Sequence, residues 1–170
     1  MILGVSPYIF TLVHSIFSLA AILSGGFVVY GFFKSRHFHH WIELFLLTSV
    51  LTSVTGFLFP SSQFGPAHIV GVISLVILAL AFFSLYFTNI LGVWRWIYVS
   101  SCVTALYLNI FVGIVQSFRK LKILKEVAPT QTEPAFLLVQ VAVLIVFFVV
   151  GVNALRAFHP ERKLVILSPV

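Results

Sequence analysis

The sequence predicts an all-α integral membrane protein with five transmembrane helices in one bundle, and three observations carry that prediction. Of the 170 residues, 61% are hydrophobic and only 8% are charged, too few ionised groups to cover a water-facing surface. A 51-residue run from Leu44 to Trp94 holds no Lys, Arg, Asp or Glu and is broken near its middle by the segment PSSQFGP at 60–66. As one helix that run would extend roughly 75 Å, more than twice the ~30 Å hydrocarbon layer, so it reads as two crossings joined by a turn. Finally, Pro60, Pro66, Pro134 and Pro160 fall at the edges of apolar segments, where a missing N–H costs little.

The expected helices cover about 7–33, 41–59, 66–88, 93–118 and 134–158 of a single domain spanning 1–170. No basic stretch precedes the first, so a retained helix is expected rather than a cleaved signal. The β-branched residues lie in runs too long for strands and without strict alternation. Backbone groups in lipid must be satisfied within each segment, which leaves helix as the only choice. The hydrophilic piece from Arg119 to Glu133 is too short for a domain, and its lysine-rich first half is expected to prolong helix four or lie among headgroups.

Five crossings put the ends of the chain on opposite faces. Face A receives the N-terminus, the 60–66 turn and the 119–133 linker, with Arg119, Lys120, Lys122 and Lys125. Face B receives Lys34, Arg36, Arg95, Arg156, Arg162 and Lys163. The greater positive charge on face B predicts a cytoplasmic C-terminus and an N-terminus outside. The formal charge of +6 is thus accounted for at segment ends by lipid and topology, and no nucleic-acid partner is expected. Cys102, the one cysteine, excludes an intrachain disulfide and a CxxC motif.

Several polar residues should share the half of the membrane nearest face A. His14, Ser18, Ala21 and Gly25 form one stripe of helix one; Asn109, Gly113 and Gln116 form one face of helix four. Together with His68, Gln140, and Gln131 and Glu133 of the linker, they form a candidate cofactor-binding set, because polar groups are costly in lipid. Gln63 lies nearby in the turn. The cofactor classes such a set admits are haem, ligated by His14 and His68, or a quinone or similar amphiphilic small molecule. On face B, His37, His39, His40 and Glu43 form a candidate metal set, although their spacing matches no metalloenzyme motif and a lipid-headgroup role fits equally. His159 reaches the same face, and Asn153 and Arg156 would pair with Glu43 if their helices were neighbours.

Ser49, Thr52, Ser53 and Gly56 give helix two a small, weakly polar face suited to close packing within or between subunits. P-loop, dinucleotide, HExxH and GxSxG motifs are absent, so no catalytic residue is assigned. The segments VTGFLFP at 54–60, PAHIVG at 66–71, ALYLNIFVG at 105–113 and APTQTEPAF at 128–136 together resemble a family of small uncharacterised bacterial inner-membrane proteins. That resemblance implies a bacterial cytoplasmic (inner) membrane and supplies no activity, cofactor or partner. The leading expectation is a small-molecule or redox cofactor site near the N-terminal face. The alternatives are a noncatalytic structural or partner-binding subunit, and small-solute permeation or transport by an oligomer. Membrane lipids and a second copy of the chain are the expected partners.

Overall fold

A computed structural model of the chain describes Gly4, residues 6–59 and residues 65–159. Gln63, Arg162 and Lys163 lie outside the described residues. Five described helices are long and apolar enough to cross a membrane: α1 (Pro7–Phe33), α2 (His39–Phe57), α3 (Pro66–Tyr86), α4 (Val93–Lys120) and, after the short α5 (Lys122–Val127), α6 (Pro134–Ala157). No strand occurs among the described residues. The protein is therefore an all-helical, multi-pass membrane protein, and the first four spans close a ring, α1 on α2, α2 on α3, α3 on α4 and α4 on α1. The fifth span, α6, docks outside that ring against α4 and α1.

Local chemistry sets the boundaries. Ser6 caps α1 by accepting from the Ile9 N–H at 3.3 Å, and Pro7 occupies a first-turn position that needs no donor. At the other end the chain makes a Schellman turn: Arg36 N–H donates to the Gly31 carbonyl at 2.9 Å and Ser35 N–H to Phe32 at 3.0 Å, with Ser35 left-handed at φ 51°. A methyl group on Gly31 would meet the Arg36 carbonyl oxygen at 2.9 Å, so the turn requires glycine there.

α2 starts at His39, two residues earlier than expected, because the Glu43 carboxylate lies 3.1 Å from His39 Nε2 and holds the first turn. α3 ends at Tyr86, short of 88: the chain turns through left-handed Asn89 and Ile90, and Thr88 Oγ1 donates to the Ser84 carbonyl at 2.8 Å. Extended Leu121 breaks α4 from α5. α5 then folds back, burying Ala128 against Phe118 and Phe136 while Leu121, Ile123 and Val127 stay exposed among lysines.

Packing density differs between the two halves of the bundle. The main core gathers Phe32, Phe45, Leu78, Tyr98, Cys102 and Phe158, all in the half toward face B. The B half of α1 buries Ala21, Ser24, Gly25, Val28, Val29, Gly31 and Phe32, whereas its A half buries only Phe10. On α4 the buried positions lie between Tyr98 and Leu106, apart from Phe118 under α5, and residues from Tyr107 to Ser117 are all half-buried. Lateral packing thus closes the B half and leaves the A half more open, which is where the polar side chains lie.

Candidate functional site

The α1 and α4 stripes meet. A methyl on Gly25 would lie 2.7 Å from Leu106 Cδ1, and one on Gly113 would lie 3.8 Å from Ile22 Cδ1, so small residues set the approach of the two helices. Beyond that contact, toward face A, α2 supplies a ladder of hydroxyls at Ser49, Thr52 and Thr55, three residues apart and covering roughly 9 Å of helix.

Thr55 donates to its own Leu51 carbonyl at 2.6 Å, which leaves its oxygen free to accept. His14 Nδ1 sits 2.8 Å from that oxygen, so His14 donates from Nδ1 and keeps a lone pair on Nε2. Phe59 stands edge-on to the imidazole at 5.2 Å. At the deeper end of the ladder, Asn109 Nδ2 donates to Ser49 Oγ and to its own Ala105 carbonyl, each at 3.1 Å. Between these two ties lies Thr52, whose Oγ1 is buried without a hydrogen-bond partner among the described residues. Gln116 is half-buried on the Asn109 face of α4.

The remaining members of the expected set go elsewhere. His68 Nδ1 accepts the Gly65 N–H at 3.2 Å, which closes the first turn of α3, and its ring lies 5.7 Å from that of Phe57. Thr55 and Phe57 are two residues apart, about 200° around α2, so His14 and His68 flank that helix on nearly opposite sides. Gln140 is buried at the α4–α6 seam, where Nε2 reaches the Phe111 carbonyl at 3.4 Å and Oε1 has no partner among the described residues. Gln131 makes a long 3.5 Å contact to the Val115 carbonyl at the same seam. Glu133 accepts from Thr130 N–H at 3.0 Å and Thr130 Oγ1 at 2.8 Å; these bonds, the backbone one foremost, hold its carboxyl below the usual carboxylate range. The linker therefore folds over α4 and α6, away from His14.

On face B the four candidate metal ligands separate. His39 and His40 stay exposed beside Glu43, at 3.1 and 3.9 Å. His37 turns inward and stacks 5.7 Å from the buried Tyr98 ring, with Phe158 at 5.9 Å. No group of three or more metal-ligating side chains forms among the described residues. Arg95 Nη1 donates to the Leu155 carbonyl at 3.0 Å and also to the Phe158 carbonyl, capping the C-terminal end of α6. Ser35 Oγ and the His159 backbone exchange two bonds of 2.8 Å. Among the described residues Glu43 pairs with His39 and His40 and with neither Asn153 nor Arg156, and α2 and α6 make no extensive contact.

Sequence reasoning picked out His14 and Asn109 but missed Thr55, the residue to which His14 is tied. It read Ser49 and Thr52 only as a packing face. The signal was the threefold spacing of 49, 52 and 55, which places hydroxyls along neighbouring faces of one helix.

Fold and site together define an integral membrane helical bundle with a polar ladder between α1, α2 and α4. No family model, curated protein or solved structure matches the chain.

Burial foremost, and then the neighbouring His39, lowers the His37 pKa to about 4. An imidazole in an unfolded chain takes its proton near 6.5, so between these values the unfolded state binds the extra proton. Stability supplied by neutral His37 is complete above about pH 6.5 and is lost as pH falls toward 4, by up to about 3 kcal/mol. Thermal melts in detergent should show this acid sensitivity, and His37→Phe should flatten it. An unchanged pH profile in that variant would refute the assignment.

Proposed function

We propose that the protein binds a small amphiphile of the quinone type in the half of its bundle nearest face A. The observation that carries this reading is Thr52 Oγ1, a buried oxygen without a partner among the described residues, set between the His14–Thr55 and Asn109–Ser49 bonds. Buried hydroxyls are nearly always paired, so an orphan in a polar cluster suits a guest that completes it. Thr52 can donate to a carbonyl oxygen, and His14 Nε2 can accept from a hydroxyl, which together fit a quinone and its reduced form. Such a ligand needs one polar edge and an apolar body, and makes no demand on His68.

A short-chain benzoquinone titrated into the detergent-solubilised protein tests this. Saturable binding is expected, weakened tenfold or more by Thr52→Val with the melting temperature unchanged. Absence of saturable binding, or identical affinity in the variant, would overturn the reading. A Soret band abolished by substitution of His14 or His68 would replace it with haem.

A second reading, a noncatalytic structural or partner-binding subunit, is favoured by the bonds His14 and Asn109 already make and by the outward face of α6. Leu138 and Phe148 on that face are 70% and 71% exposed to whatever surrounds the bundle, and a second copy of the chain or another membrane protein would cover them.

We further propose a bacterial cytoplasmic membrane with the N-terminus outside and the C-terminus inside. Lys34, Arg36 and Arg156 on face B, and the sequence positions Arg162 and Lys163, support this orientation, and the family resemblance supports the membrane. Cys102 is fully buried and silent to labels. A membrane-impermeant maleimide should therefore label Glu126→Cys but not Lys34→Cys in intact cells; the opposite pattern would reverse the orientation.

A further inference from the structure

A groove of about 600 Å³ runs between α2 and α3 on the outside of the bundle, away from the polar ladder. Buried Leu46 and Leu78 form its floor, Val50 and Leu75 bound its inner end, and exposed Ala79 leaves a gap before Phe82. From Leu75 to Tyr86 it follows roughly 16 Å of helix, about half the hydrocarbon thickness. Its inner length is apolar. Its polar groups, Glu43 and Tyr86, stand together at the face B end, within electrostatic reach of each other.

Glu43 is the only acidic residue in any of the five spans. Its side chain is 46% exposed, and its ion-pair partners among the described residues are His39 and His40, at 3.1 and 3.9 Å. Among the described residues no lysine or arginine forms an ion pair with it. A carboxylate at the membrane interface, opening onto an apolar slot one leaflet deep, complements an ammonium group attached to a hydrocarbon chain.

We propose that this groove holds one acyl chain of a phospholipid whose primary-ammonium headgroup pairs with Glu43. The ammonium N–H groups donate to the carboxylate, and the lipid phosphate accepts from the Tyr86 hydroxyl and an imidazole N–H of His39 or His40. The second acyl chain stays in the bilayer. This site shares no residue with the Thr52 ladder, so either proposal can fail alone.

Mass analysis of lipid retained by the full chain tests it, after purification in detergent supplied with equal phosphatidylethanolamine and phosphatidylglycerol. We expect about one phosphatidylethanolamine per chain and at least fivefold selection over phosphatidylglycerol. Glu43→Gln should reduce that selection to near unity, while the helical circular dichroism falls by no more than the first turn of α2 that Glu43 holds. Ala79→Phe, which fills the gap, should abolish retention of both lipids. Lipid recovered in the supplied ratio, or selection unchanged in Glu43→Gln, would overturn the proposal. So would loss of self-association, with lipid retention unaltered, in Ala79→Phe, because the groove would then be a contact between copies.

Discussion

The constraint on which this structure depends is the absence of water from the hydrocarbon layer: each polar group carried into it needs a partner there, from the protein or from a bound guest. The hydroxyls of the spans show how the chain meets that demand. Ser18, Ser24, Thr48, Thr55, Ser84 and Ser117 each donate to the carbonyl four residues earlier, between 2.6 and 2.9 Å. A hydroxyl that has donated locally still accepts, and at Thr55 this converts a local bond into a tie with His14. Neither tie buries a net charge, so both avoid the largest desolvation penalty.

From the same constraint follows the unequal packing of the two halves. Toward face B, the exposed ends of helices are closed by groups that belong to other elements: Arg95 on the carbonyls of α6, Ser35 on His159, and His37 laid against Tyr98. These contacts join α1, α4 and α6 at one level and surround the aromatic core of Phe32, Tyr98 and Phe158. Toward face A, among the described residues, hydroxyl, amide and imidazole groups occupy the interior. A stable closed end combined with a more open polar end is a common requirement of binding proteins, whose sites are drawn from their less tightly packed regions.

The five spans were legible because length and charge deficit are global properties that no local detail can hide. Their ends were less so. The start of α2 depends on Glu43 reaching His39, and the end of α3 on left-handed Asn89 and Ile90, neither of which hydrophobicity records. The meeting of the His14 and Asn109 stripes could be anticipated from helical spacing alone. That His68 would close the first turn of its own helix could not, because a histidine three residues beyond Gly65 also suits a bundle interior. Likewise His37, His39 and His40 are equivalent in a composition; only the Schellman turn at Ser35 sends the first inward and leaves the others beside Glu43. The α2–α3 groove was invisible because it arises from a small residue on α3 set against leucines on α2, a relation between helices rather than within one.

The central claim is that intramembrane polar bonds, and not apolar packing alone, hold α2 to the helices around it. A double-mutant cycle on Asn109→Leu and Ser49→Ala, followed by thermal unfolding in detergent, tests it most directly. The account predicts a coupling of about 0.6 kcal/mol and no more than about 1.7 kcal/mol, the range found for side-chain hydrogen bonds between membrane helices. Additive losses, with no coupling between the two positions, would contradict it.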